Sequence, residues 1–291
     1  MTLQRTRLGI ALMVATTFVF ACQDGISRHL AGEYNTFMVV MVRYWFFAAF
    51  VLAIAARHPG GIAATARTSQ LRLQIGRGVL LALEICVAVL GFTLIGLVES
   101  HAIFASYPLI ITALAGPLLG ERVGWRRWAA VFAGFLGMLI ILAPGAGAFD
   151  PLALIPVASA VLFALYGLAT RYAAARDSTA TSFFWTGVAG AVVMTFFGLP
   201  SWEPMSPPDW GWMLLLCVTG VLGHWLLIKC YELAEASVLQ PFAFFHQIFA
   251  ALVGVVIFAE IVQANVMVGS IVILAAGLFA LWRAAQASAD V

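Results

Sequence analysis

The chain has 291 residues; 63% are apolar before glycine is counted, only 10% are Asp, Glu, Lys or Arg, and the net charge is +2. A soluble domain carries about 25% charged residues, so a water-soluble globule is excluded, and so is disorder, which needs the opposite balance. The small net charge argues against an electrostatic nucleic-acid binder, and the mean hydropathy of +1.02 leaves a polytopic membrane protein.

The first apolar run follows two arginines in Met1–Arg7 and continues to Gln23-Asp24 without a small-residue cleavage site. It reads as a retained helix and not as a signal peptide. It opens a series of ten runs, at 8–28, 36–56, 76–96, 99–119, 125–143, 151–172, 181–199, 209–230, 236–258 and 264–283. One crossing takes about 20 apolar residues, so ten take about 200 and leave no room for a separate soluble domain. Runs of this length satisfy their backbone in lipid only as helices, and the period-two alternation of a barrel is absent. The breaks carry turn chemistry, as at His58-Pro59-Gly60-Gly61 and Pro204-Met205-Ser206-Pro207-Pro208.

Ionisable groups inside such runs are costly and usually face a cavity. In chain order, Asp24 lies in the outer part of the first run, beside Gln23. Arg43 lies roughly 12 Å below the outer end of the second. An Asp24–Arg43 ion pair is within reach, as a structural or coupling pair; the alternative for Asp24 is a hydrated rim residue. The basic connection 57–75 has room for a short interfacial helix. Glu84, in the third run, has three open roles: a protonated buried acid, a proton-coupling acid, or a partner for a substrate ammonium. The fourth run carries a stripe of His101, Ala105, Pro108, Thr112 and Gly116, with Tyr107 beside it. Pro108 frees a carbonyl one turn earlier. The sixth carries Ser159, Phe163, Tyr166 and Thr170, and the ninth Gln240, Ala243, Gln247, Ala251 and Gly254. Such stripes serve as packing faces as readily as pore linings. His224 in the eighth run and His246 in the ninth fall near mid-membrane, as satisfied core histidines or as cavity groups. Lys229 is expected to snorkel to the headgroups. Cys22, Cys86, Cys217 and Cys230 lie in apolar runs without a CxxC pair and read as packing residues.

With the N-terminus inside, twelve arginines fall on the cytoplasmic side and only Arg28 outside; Arg43 and Lys229 lie within runs. That bias places both termini in the cytoplasm. Arg77 is counted among the cytoplasmic twelve. Trp125, Trp128, Trp202, Trp210, Trp212 and Trp282 read as interface anchors. The chain also repeats. Ala113-Leu114-Ala115-Gly116 leads to Glu121, and Ala251-Leu252-Val253-Gly254 leads to Glu260, each ahead of one final run. Five runs per half is odd, so the copies enter the membrane with opposite orientation, a transporter signature. The expected division is 1–146 and 147–291, each a five-helix repeat.

These features, with the stretch Met41-Val42-Arg43-Tyr44-Trp45-Phe46-Phe47-Ala48-Ala49, resemble the drug/metabolite transporter superfamily, in its EamA-type branch. The likeness covers residues 8–283 and is greatest to bacterial (YddG-like) aromatic amino acid exporters. The second half departs from it in lacking an arginine matching Arg43. The resemblance implies an all-α inner-membrane carrier of ten helices, with a central cavity lined mainly by helices 1, 3, 4, 6, 8 and 9. The expected function is export of apolar or aromatic amino acids by alternating access. Another metabolite, a cationic drug, or passive facilitation through a channel are the alternatives. Candidate substrate-binding residues are Glu84, Tyr107, Tyr166, His224, His246 and Gln247, with Asp24 and Arg43 as a coupling or structural pair. The lipid bilayer and a small-molecule substrate are the expected partners. Paired acids, GxSG, HExxH and a P-loop are absent, so no enzyme activity, cofactor or metal is expected.

Overall fold

The structure, a computed structural model, describes residues 3–120, 124–142, 151–234, 239 and 242–289. The regular structure among these residues is all helical. The helices are α1 (Leu3–Glu33), α2 (Thr36–Arg57), α3 (Gly61–Ala66), α4 (Leu71–Leu94), α5 (Leu97–Phe104) and α6 (Tyr107–Leu119). They continue as α7 (Trp125–Leu142), α8 (Leu154–Ala173), α9 (Thr179–Gly198), α10 (Pro207–Leu233), α11 (Phe245–Phe258) and α12 (Ala264–Ala289). Seven segments are long and apolar enough to cross a bilayer, with α5 and α6 counting as one; shorter apolar helices at 128–141, 245–258 and 264–279 occupy the remaining three runs. The protein is a multi-pass membrane protein. The short helix expected in the 57–75 connection is α3.

The two halves start their second helices alike. Asn35 accepts the Met38 amide and caps α2; Ser178 accepts the Thr181 amide and caps α9. Packing repeats this correspondence. α1 lies on α10 as α8 lies on α4, and α1 on α11 as α8 on α5 and α6; α2 meets α9, α5 meets α11, and α7 meets α12. Exchanging the first five crossings with the second five returns the same pairs, so the bundle is built from two inverted copies. The expected boundary at 146/147 lies outside the described residues, as do Glu121 and Gln240.

The fourth run is not one helix. Pro108 has no N–H to give the Phe104 carbonyl, and the chain tightens at Ala105–Ser106, with Ser106 N donating to the Ile103 oxygen at 3.1 Å. In the ninth run, Phe244 forms a turn before α11 begins. α6 and α11 start at the same distance ahead of Gly116 and Gly254, so both copies break their fourth crossing at an equivalent place.

Glu260 explains the repeated Gly-to-Glu pattern. α11 ends on Ala259 in the left-handed region (φ 52), which turns the Glu260 carboxylate back onto the start of α5. Its oxygens accept the Leu97 and Val98 amides at 2.9 and 2.7 Å, two donors that a helix start leaves unpaired. Arg28 of α1 donates to the same carboxylate. A Cβ on Gly254 or Gly96 would lie 2.9 Å from a Glu260 oxygen, so both positions must stay bare. One side chain thus ties α1, α5 and α11 together at one end of the bundle.

Arg77 corrects the arginine count. It is 1% exposed, inside α4 and not on a cytoplasmic flank. Its guanidinium donates to Gln74 (3.0 Å), the Tyr166 hydroxyl (3.3 Å), the Thr170 hydroxyl (3.2 Å) and the Ser182 carbonyl. Gln74 passes the charge on to Asp177 at 2.7 Å. This cluster joins α4, α8 and α9 at the end opposite Glu260. Lys229 pairs with Glu232 at 2.8 Å.

Replacing Glu260 by Ala removes the acceptor of two helix-start amides and of Arg28, and is expected to cost about 3 kcal/mol. Thermal unfolding of the detergent-solubilised protein checks this. Glu260→Gln should fall between wild type and alanine, and an alanine variant melting with wild type would contradict the capping role.

Candidate functional site

Seven helices converge on a central cavity of about 40 Å³. α1 brings Phe20, Gln23 and Asp24; α2 brings Arg43; α4 brings Glu84 and Phe92; α5 brings His101 and Phe104; α8 brings Phe163; α10 brings His224; α11 brings His246. In span order these are 1, 2, 3, 4, 6, 8 and 9, the set the resemblance implied with Arg43's helix added. Among the described residues, α7 and α12 contribute none to the lining.

Each ionisable group is held by neutral or imidazole partners. Arg43 donates through one Nη to Gln23 Oε1 and to His224 Nε2, both at 3.1 Å. Guanidinium nitrogens only donate, so His224 Nε2 accepts and its proton sits on Nδ1. That Nδ1 is buried and has no partner among the described residues. Glu84 Oε1 accepts from the Ser159 hydroxyl at 2.7 Å, and no cation lies within ion-pair distance of it among the described residues. Asp24 Oδ2 lies 3.0 Å from His101 Nε2 and 2.8 Å from His246 Nε2. His101 stacks on Phe92, its ring centroid 4.8 Å away. The walls are therefore charged at a few points and aromatic between them.

The expected Asp24–Arg43 ion pair does not form. Both face the cavity, but Asp24 is taken by two histidines and Arg43 by Gln23 and His224. Tyr166 is likewise displaced from the expected set: its hydroxyl accepts from Arg77, outside the cavity. Gln247 turns to α12, donating to the Ser270 hydroxyl at 2.5 Å, and its Oε1 has no partner among the described residues. Tyr107 stands one layer back, packed on Phe104 and Phe163 with centroids 4.8 and 4.9 Å away. Glu84, His224, His246, Asp24 and Arg43 do line the cavity. His101 and Gln23 belong with them; the stripe through Pro108 already carried His101, and Gln23 adjoins Asp24.

Asp24, His101 and His246 offer a carboxylate oxygen and two imidazole nitrogens within 4.8 Å of one another. A tetrahedral ion with bonds of about 2.0–2.1 Å would hold its ligand atoms about 3.3 Å apart. The oxygen–nitrogen separations of 2.8 and 3.0 Å are shorter and are those of hydrogen bonds.

The EamA-like transporter family model matches the chain twice, over residues 7–143 and 151–282. Similar proteins include the S-adenosylmethionine uptake transporter of Rickettsia felis, 24% identical over 96% of this chain and 94% of that protein. The riboflavin transporter of Vibrio cholerae is 25% identical over 94% of this chain and 93% of its own. The pseudopaline exporter of Pseudomonas aeruginosa is 22% identical over 95% and 96%. A solved crystal structure, 18% identical, shares the fold with a TM-score of 0.71 over 98% of this chain and 99% of its own. Two matched halves, a ten-run helical bundle and relatives named as transporters agree: the chain belongs to the EamA-like transporter family.

Proposed function

We propose that this protein is a secondary carrier of the bacterial inner membrane that exports small metabolites built on an α-amino acid group, with an apolar or aromatic body, by alternating access. The observation that supports this most is the pairing in the cavity wall. Among the described residues, Arg43 is a guanidinium held by neutral partners, and the Glu84 carboxyl group is held by a hydroxyl. A zwitterion offers the carboxylate and ammonium that such groups bind in charge-assisted hydrogen bonds. Phe20, Phe92, Phe104 and Phe163 would take the apolar body. The arginine bias supports cytoplasmic termini, which put Glu260 at the outer end.

A cavity of about 40 Å³ accommodates water and no larger solute. Loading therefore requires the helices to part, and two inverted halves with broken fourth crossings are suited to that. A second reading is uptake of S-adenosylmethionine, the solute in the names of the Rickettsia relatives. That molecule is itself an α-amino acid joined to adenosine through a sulfonium, so the same two charges would hold its head.

Reconstitution in liposomes tests both readings. Uptake or exchange is measured for phenylalanine, tryptophan, methionine, S-adenosylmethionine and riboflavin at two pH values. Saturable flux of an amino acid above empty vesicles is expected. Flux confined to riboflavin, flux without saturation, or none at all would contradict the proposal.

Arg43→Gln and Glu84→Gln should each raise the KM for the carried solute about tenfold or more, because a hydrogen bond to a charged group contributes about 1.5–3 kcal/mol. A KM unchanged in both would remove these residues from recognition.

A further inference from the structure

The hydrogen bonds around Asp24 can be counted. His101 faces two acceptors: its Nδ1 lies 3.0 Å from the Leu97 carbonyl oxygen and its Nε2 3.0 Å from Asp24 Oδ2. A carbonyl only accepts, so Nδ1 carries a hydrogen, and Nε2 of a neutral ring is then a bare lone pair. A lone pair cannot rest against a carboxylate oxygen at that distance unless a hydrogen lies between them. His246 Nε2, 2.8 Å from the same Oδ2, supplies the other contact.

Two arrangements satisfy every atom. In one, His101 is an imidazolium and Asp24 a carboxylate. In the other, Asp24 is a carboxylic acid donating to neutral His101. His246 donates through Nε2 in both. Each contains one proton more than an ionised Asp24 beside two neutral imidazoles.

Charge requires one such proton without choosing its acid: the cavity wall holds the carboxyl groups of Asp24 and Glu84 and the guanidinium of Arg43, and one added proton on either acid brings the set to neutrality. The two acceptors facing His101 assign it to the triad. The remaining groups facing the triad do not alter the count. His224 of α10 is neutral toward Arg43, and α8 offers the Ser159 hydroxyl and Phe163. Glu260 and Arg28, one turn away, are paired with each other.

We propose that Asp24, His101 and His246 hold one exchangeable proton, and that its release opens the end of the bundle that Glu260 closes. Asp24 and Arg28 are one helical turn apart on α1. Through His101 and His246, Asp24 ties α1 to α5 and α11. Through Glu260, Arg28 ties the same three helices one turn further out. When the proton leaves for solvent, the His101–Asp24 contact changes from a hydrogen bond into two facing acceptors. α1 is then pushed from α5, a short segment next to the break at Ala105–Ser106. The state open at the Glu260 end is the deprotonated one, and the closed form described here is protonated.

The test needs no substrate, so it stands or falls apart from the carrier reading. Hydrogen–deuterium exchange of the purified protein in lipid nanodiscs is followed on residues 97–104 and 249–258, with rates corrected for the intrinsic effect of pH. Between about pH 5 and about pH 9, wild-type protection should fall by about tenfold or more. Asp24→Asn should stay protected throughout, because an amide nitrogen in the place of Oδ2 carries two hydrogens, one donated to His101 Nε2 as the protonated acid does and one to His246 Nε2, whose own proton then sits on Nδ1. Should that variant fail to fold, His101→Gln serves instead, and the pH step should vanish. Wild-type protection that is flat or rises with pH, or a step that persists in either variant, overturns the proposal.

Discussion

Charge inside a lipid-surrounded bundle has to be neutralised by the bundle itself, and the architecture follows from how that is done. Asp24, Arg43, Arg77 and Glu84 are all almost fully buried. Their direct partners are carboxamides, hydroxyls, imidazoles and a backbone carbonyl. Direct opposite-charge pairs would lock helices together and leave nothing to bind a solute. Dipolar partners stabilise each charge while keeping its field available. α4 carries Arg77 and Glu84 two turns apart, on one face. Antiparallel α8 presents Tyr166 and Thr170 to the first and Ser159 to the second. The α4–α8 contact is therefore set by polar register as much as by apolar packing.

The start of the fourth crossing obeys a related constraint. A helix pairs its interior backbone internally but leaves the amides of its first turn open, and something must accept them. At the start of α5 that acceptor is Glu260 from the other half. The left-handed turn at Ala259 is unfavourable for a side-chain-bearing residue, by about 1–2 kcal/mol. It persists because it delivers the carboxylate to two amides and a guanidinium at once. In the first copy the same turn falls on Gly120, with φ 71, where a glycine adopts it freely.

Much of the scaffold was legible in the sequence because lipid exposure writes itself as long apolar runs, and Pro108 signalled the first break. The Gly254–Glu260 pattern was visible as a repeat, but its role required knowing that Gly96 and Leu97 lie against it. Arg77 was misplaced because an arginine one turn and a half into a helix looks the same whether it snorkels outward or turns inward; Gln74, Thr170 and Ser182 decide that, and they come from three helices. The site was half legible for the same reason. Depth along a helix follows from counting, so His224 and His246 could be assigned to mid-membrane, Arg43 and Glu84 to the interior of their runs, and Asp24 to the outer part of its own. Azimuth does not, so Tyr166 and Gln247 were placed in the cavity although they face Arg77 and Ser270.

Symmetry of scaffold and asymmetry of charge together frame how such a bundle switches. Two inverted copies with the same helix pairs would, if chemically identical, make the form closed at one end equal in energy to the form closed at the other. Alignment on the caps Asn35 and Ser178 places Thr186 opposite Arg43, and Thr186 spends its hydroxyl on its own helix, on the Ser182 carbonyl at 2.8 Å. The polar groups thus break the symmetry that the apolar packing keeps. One end is tied by Glu260, Arg28 and the Asp24 triad, the other by Arg77 with its hydroxyl and carbonyl partners. Removing a proton or adding an ion acts on the first set and barely on the second, because Arg77 stays charged at any relevant pH. On the proposed carrier reading, the balance between the two end states is controlled from one side of the cavity, which is the condition a carrier needs if cargo and solvent are to choose its direction.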